Sequence, residues 1–343
     1  MTPAPRALYT RPMPATRTAA LIVLILAAVV LGLAPILVRL TETGPAAAGF
    51  WRFALAAPLL LILTARPGGG GPGLPTKWMG LAALFLVLDL AIWHYSIFMT
   101  SVANATVLCN LTPVVVTLFG WFAFRDRPRR LFVVALGLAM AGAFAMSAGA
   151  DGRQGSNPLL GDLFALSVAL FYAGYFLAVK TARRTAGAMR VMLWSTLLGA
   201  PLLLAAALAL GEDIWPASPA GWAACVGLGV MHVVGQGGVA WSLGRLPAAL
   251  TAVTVLIQPV VAALLGWLIF AETLTPVQAV GGAVVLVAIV LAQLSSGRGQ
   301  KAAPSRPHAA QRPGRVGSGG PEGPTTAAQT KTDAGAEAAA PVL

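Results

Sequence analysis

Ten apolar runs of about twenty residues, separated by short breaks of charge, glycine and proline, dominate this chain. They cover roughly 19–40, 45–65, 77–99, 103–124, 129–148, 158–180, 190–210, 219–243, 247–270 and 275–294. A bilayer core about 30 Å thick is crossed by roughly 20 helical residues, so each run is long enough to span it. Only 10% of the residues are charged and 57% are hydrophobic, against about 25% charged in a soluble domain. Too few polar side chains remain to cover a water-soluble surface of this size. The expected fold is therefore all-α: a polytopic membrane protein with ten transmembrane helices.

The breaks have the right chemistry for turns. RPGGGGPGLPTK (Arg66 to Lys77) reads as a flexible loop, RDRPRR (Arg125 to Arg130) as a charged turn, and Asn157-Pro158 as a helix start with proline at its first position. Arg6, Arg11 and Arg17 precede the first run in the manner of a secretory signal. That run exceeds the 7–15 residues of a signal core, so an uncleaved first helix is expected, with cleavage near Ala46, Ala47 and Ala48 left open.

The fourth and fifth runs resemble the ninth and tenth: ATVLCNLTPVVVTLFGWFAFRDRP lies over TAVTVLIQPVVAALLGWLIFAETL. Pro113 matches Pro259, Gly120 matches Gly266, Trp121 matches Trp267 and Phe124 matches Phe270, all at one constant offset. An internal duplication into two five-helix halves explains this. Five is odd, so the second half must enter the membrane inverted.

Charge agrees. With the N-terminus inside, the inner loops carry Arg66, Lys77, Arg125, Arg127, Arg129, Arg130, Lys180, Arg183, Arg184, Arg190 and Arg245. The outer loops carry Glu42, Asp151, Arg153, Glu212, Asp213 and Glu272, with Arg39 at a helix end. This is a positive-inside distribution. The second-half counterpart of RDRPRR reads AETLTP, basic residues giving way to Glu272, as inversion requires. The expected organisation is 1–18 as a cytoplasmic N-terminal segment, 19–148 and 158–294 as the two repeats, and 295–343 as a disordered cytoplasmic tail too poor in apolar residues to fold.

The net charge of +12 would point to nucleic acid in a soluble domain. Here the basic residues sit between apolar runs and in the tail, so no nucleic-acid partner is expected. Cys109 and Cys225 lie inside apolar segments and are too few for a disulfide framework or a zinc site. GGGGPG at Gly68 to Gly73 lacks the flanking strand and Lys-Ser/Thr of a phosphate loop. There is no HExxH, nucleophile elbow or CxxC; no cofactor, no metal and no enzymatic activity are expected.

FWRFALAAPLLLIL in the second run, SVANATVLCNLTPVVVTLFGWFAFRDRP across the fourth, GDLFALSVALFYAGYFLAVKTARR in the sixth and LIQPVVAALLGWLIFAETLT in the ninth resemble the drug/metabolite transporter superfamily, EamA type, over roughly residues 19 to 294. The resemblance implies a ten-helix alternating-access carrier of small polar solutes, commonly an exporter, in a bacterial inner membrane. It transfers no substrate, since that family spans amino acids, drugs, nucleosides and sugars. Where relatives have a Gly-Glu pair after the fourth helix, this chain has Arg125-Asp126, and Ala271-Glu272 after the ninth.

Ionisable groups inside the bilayer are the natural site candidates, because a charge at a helix centre costs about 2.5–3.5 kcal/mol on insertion scales. Asp89 leads them. Phe85, Asp89, Trp93, Ser96 and Thr100 share one helical face, a plausible cavity wall, from which His94 points away. The constant offset places Asp89 opposite Gly235, beside His232 and Gln236, which share a face of the eighth run. In the fourth run Thr106, Asn110, Pro113 and Thr117 align, and in the ninth Thr251, Thr254 and Gln258, next to Pro259. Each proline kinks its helix and frees a carbonyl four residues earlier, for a solute or water; packing contacts are the alternative. Arg52 is expected to snorkel to the outer interface or pair with Glu42, with solute binding the alternative; His94 is a further secondary candidate. Tyr172, Tyr175 and Trp241 read as packing or interfacial aromatics, with Tyr175 a secondary ligand candidate, and Asp162 as a helix-start acid.

The expected function is a secondary transporter of a small polar metabolite, amino acid or drug-like solute, working as a proton-coupled exporter. Uptake by the same fold, a membrane-embedded enzyme using Asp89, His94 and His232, and a non-transporting signalling subunit are the alternatives. The partners are a small-molecule solute and the lipid bilayer, with both termini cytoplasmic and a homodimer left open.

Overall fold

In the computed structural model, residues 17–100, 108–124, 127–148, 156–270 and 275–297 are described. The N-terminal segment, the tail beyond 297, Asp151, Arg153 and Glu272 lie outside the described residues. Among the described residues, each of the ten apolar runs is helical and no strand occurs. Six spans contain one continuous helix each: the second (Pro45–Ala65), third (Lys77–Met99), fifth (Arg130–Ala148), sixth (Pro158–Ala182), seventh (Ala188–Ala209) and tenth (Pro276–Gly297). The first is broken into Arg17–Leu31 and Ala34–Leu40, where a single helix over 19–40 was expected. Pro35 explains the break, because it has no N–H to donate to Leu31 O; beside it, Gly32 lets the ninth span approach, since a Cβ there would lie 2.6 Å from Val261 Cβ.

Helix starts follow from local chemistry. Pro45, Pro158, Pro219 and Pro276 open their helices, where a missing N–H costs nothing. Asn157 Oδ1 accepts from Leu160 N at 3.3 Å, and Ser218 Oγ from Gly221 N at 3.1 Å. Before the tenth span, Thr275 and Gln278 form a reciprocal capping box: Gln278 N donates to Thr275 Oγ1 at 3.3 Å and Thr275 N to Gln278 Oε1 at 3.0 Å.

The packing between spans has the symmetry that duplication predicts. The third span packs on the sixth as the first does on the eighth, and the third on the seventh as the second does on the eighth. The pairs second with seventh, fourth with ninth and fifth with tenth exchange into themselves. An in-plane pseudo-two-fold axis running between these three pairs accounts for every one of those contacts. Large apolar side chains point outward, Phe122 at 76% exposure and Leu268 at 61% among them. A water-soluble monomer avoids such a surface; lipid tails accept it.

The ends of the bundle carry opposite charge. At one end Glu212 Oε2 accepts from Ala47 N at 2.9 Å, at the start of the second span, and Glu42 accepts from Ser218 N and Oγ at 2.9 and 2.8 Å, at the start of the eighth. Glu42 adopts a left-handed φ of 57°, a conformation costing about 1–3 kcal/mol that these two bonds offset. At the other end Lys180 Nζ donates to Leu246 O at 2.7 Å and Leu243 O at 3.3 Å, and Arg183 Nε to Ala240 O at 3.0 Å, capping the C-terminus of the eighth span. Acids at helix starts and cations at helix ends each complement the helix dipole.

Candidate functional site

The eighth span runs as Pro219–Met231, a π turn His232–Gln236 and Gly237–Leu243. The sequence reading missed this turn, whose HVVGQ composition carries no periodic signal. Single π turns inside α-helices are often found at functional sites. The turn interrupts the α periodicity on which the shared face of His232 and Gln236 rested. His232 meets the second and seventh spans, whereas Gln236 meets the sixth.

His232 is fully buried. Arg52 Nε donates to His232 Nδ1 at 3.2 Å, and His232 Nε2 lies 3.0 Å from Thr196 Oγ1. The Phe53 ring stacks beside the imidazole at 4.7 Å. Its distance to the helix end had suggested that Arg52 snorkels or pairs with Glu42; it does neither. It is only 6% exposed, and Glu42 is committed to Ser218. The reason is packing: a Cβ on Gly229 of the eighth span would lie 2.9 Å from Leu55 Cβ, so the backbones approach too closely for Arg52 to escape along the seam.

Tyr175, also fully buried, donates to Gln236 Oε1 at 3.3 Å and touches Met192 Sδ at 3.7 Å. Tyr172 stacks on it with ring centroids 5.9 Å apart. The Tyr172 hydroxyl faces the amides of Gln236 and Gln258, and Gln258 Nε2 has no hydrogen-bond partner of ordinary geometry among the described residues. Asp89, half-buried on the third span, lies within electrostatic range of Arg52, Tyr172 and Tyr175. Trp93, one turn along, reaches Cys109 of the fourth span. Asp89, Tyr172, Tyr175, Arg52, His232, Gln236 and Gln258 thus form one polar cluster drawn from five spans and from both repeats. The aromatic pair joins the polar groups in this cluster; the sequence had suggested packing or interfacial aromatics, with Tyr175 alone a secondary ligand candidate.

The fourth and ninth spans break just before their prolines, at Asn110-Leu111 and at Leu256, which are equivalent positions of the two repeats. Proline at 113 cannot donate to Cys109 O; Thr112 Oγ1 donates to that carbonyl at 3.0 Å instead. Half-buried Asn110 sits at the break itself. The neighbouring threonines do not offer their protons to a solute. Thr117 bonds Pro113 O at 2.7 Å, Thr251 bonds Pro247 O at 3.1 Å and Thr254 bonds Leu250 O at 2.8 Å, the nearest acceptors in an apolar medium.

Of the remaining candidates, Ser96 and Thr100 are spent on Trp93 O at 2.6 Å and Asp162 Oδ1 at 2.6 Å. Trp241 stacks under the Arg245 guanidinium at 3.6 Å. The side chain of His94 and all of Thr106 lie outside the described residues. Thr196, a partner of His232, was missed because nothing distinguishes it from other hydroxyls in an apolar run.

The model of the EamA-like transporter family matches residues 18–148 and 159–294. A protein of Archaeoglobus fulgidus described as an uncharacterized transporter is 28% identical over 222 residues, 64% of this chain and 77% of its own length. A solved structure described only as "Crystal structure of protein" shares the fold, with a TM-score of 0.71, 21% identity, and coverage of 82% of this chain and 99% of that one.

Proposed function

Since this chain belongs to the EamA-like transporter family and is a multi-pass membrane transporter of small solutes, we propose that it works as a secondary carrier by alternating access: the two repeats rock about the Asp89 cluster and expose it to one side at a time. The carrying observation is a polar cluster at the contact of two inverted repeats, flanked by broken helices at equivalent positions. Such a seam site near mid-depth is what alternating access needs. The solute is a small polar metabolite, amino acid or drug-like compound, exported at the expense of the proton gradient.

Asp89 takes up a proton, or a cationic group of the solute, on one face of the cycle. Tyr172, Tyr175, Gln236 and Gln258 offer hydroxyl and amide groups to the solute's polar atoms, with Trp93 and Asn110 lining the fourth-span side. The charge distribution supports both termini on the cytoplasmic face of a bacterial inner membrane, with the acid-capped end outside.

Purified protein in liposomes, supplied with a panel of amino acids and toxic metabolites, tests this. At least one solute is expected to show flux driven by an imposed pH gradient, and the preferred gradient direction separates export from uptake. Asp89→Asn is expected to lower gradient-driven flux by about an order of magnitude, since losing an interaction worth about 1.4 kcal/mol already changes a rate tenfold. Unchanged flux in that variant removes Asp89 from the coupling step.

A further inference from the structure

The chain Arg52, His232, Thr196 fixes the protonation state of a buried histidine. Arg52 Nε carries one hydrogen and can only donate, so at 3.2 Å from His232 Nδ1 it finds a bare nitrogen. The single ring proton then sits on Nε2 and is donated to Thr196 Oγ1, 3.0 Å away. A second proton would have to enter at Nδ1, directly against the guanidinium N–H, and Arg52 gives up no proton to make room.

Among the described residues, none placed against the ring stabilises a charge on it. The second span presents the cation Arg52 and the Phe53 ring. The seventh presents a hydroxyl. The first packs Leu31 and Ala27 against Gly235 of the same π turn. The sixth contributes Tyr175 through Gln236. Among the described residues the carboxylate in electrostatic range of Arg52 is Asp89, on the third span, and it serves the arginine rather than the imidazole.

We infer that His232 is a positioning residue, locked as the neutral ring with its proton on Nε2, and not a proton carrier. Its task is to hold the Nε side of Arg52 across the seam between the repeats, so that the two terminal nitrogens are left for Asp89 and for an anionic group of the solute. The solute half of this statement rests on the carrier reading; the locked ring does not. Proton coupling then falls to Asp89, and the histidine cannot substitute for it.

The lock is read directly by nitrogen NMR of full-length protein labelled with 15N-histidine in lipid nanodiscs. The chain has three histidines, His94, His232 and His308, and loss of a signal in His232→Gln, or its survival in a His94→Gln, His308→Gln double variant, assigns the resonance. From about pH 8 to about pH 5, where a free imidazole gains its charge, Nδ1 is expected to stay in the unprotonated range and Nε2 in the protonated range. Arg52→Leu is expected to release the ring into mixed tautomers. A wild-type ring carrying its proton on Nδ1, or becoming doubly protonated within that window, overturns the inference.

Transport tests the other half of the assignment, that His232 carries no proton. His232→Gln keeps an acceptor and a donor in the chain, and its flux is expected to retain the wild-type response to the pH gradient. A loss of that response as complete as in Asp89→Asn would make His232 a proton carrier and sink the proposal. Absence of flux for every solute in the wild type would count against the carrier reading alone, leaving the NMR result to decide the lock.

Discussion

Arg52→Leu is expected to be among the most damaging single substitutions in this protein, lowering stability by about 3–5 kcal/mol, the usual cost of removing one member of a buried charged set. The guanidinium is 6% exposed, bonds a neutral acceptor and lies within electrostatic range of a carboxylate. Deleting it leaves His232 Nδ1 without a donor and Asp89 without its countercharge, in a medium that supplies no replacement. An unmade hydrogen bond to a buried acceptor costs about 1–3 kcal/mol by itself. The uncompensated carboxylate accounts for the remainder. The expected readouts are a sharply reduced yield of monodisperse protein in mild detergent and a lower thermal midpoint. The double variant Arg52→Leu, Asp89→Asn is expected to recover part of the loss, because it removes the charge that the single variant strands. Strictly additive losses would show that the two groups are not coupled.

A second large effect is expected at Gly142, from geometry rather than charge. The fifth and tenth spans cross backbone to backbone: a Cβ on Gly142 would lie 2.7 Å from Gly281 O, and a Cβ on Gly281 would lie 2.7 Å from Gly142 O. No rotamer relieves a clash with a carbonyl oxygen, so any larger residue must push the helices apart along this contact. In a bilayer, helix association has no hydrophobic drive and depends on such close approach of small residues. Gly142→Leu is expected to cost about 3 kcal/mol, the upper part of the range for overpacked interiors, and to deplete the folded fraction in detergent. Gly137→Leu, five residues earlier on the same helix, is the control. A Cβ there meets nothing within 4 Å, and its yield and thermal midpoint are expected to match the wild type.

The ten spans were legible because a hydrocarbon medium forces long apolar helices and leaves the charges in the breaks. The inversion was legible because an odd number of spans per repeat has to exchange basic turns for acidic ones. Positions tied to backbone chemistry could also be read: Pro113 and Pro259 remove donors at equivalent depths, and Asn157-Pro158 marks a helix start, whereas the capping box of Thr275 with Gln278 went unread. Misreadings arose where depth along a helix was known but the facing helix was not. Arg52 looked like a residue near an interface. Its partner is 180 residues away in sequence, on a span whose π turn nothing in HVVGQ announces. The aligned threonines of the fourth and ninth spans looked like a cavity lining, but an isolated hydroxyl in lipid finds its own helix's carbonyl first. Tyr175, a secondary ligand candidate from the sequence, gained its place only with Gln236 set opposite its hydroxyl, and Tyr172 carried no mark separating it from an ordinary core aromatic.

The central claim is that two head-to-foot copies of a five-span module meet at the Asp89 cluster. It is tested most directly by side-specific thiol labelling of single cysteines at Arg127 and Thr275, which follow the equivalent fourth and ninth spans, in a background with Cys109 and Cys225 replaced. In sealed right-side-out vesicles, a membrane-impermeant maleimide is expected to label position 275 from outside and position 127 only after the membrane is opened. Labelling of both positions from the same side would contradict the inverted repeat, and with it the seam on which the site is built.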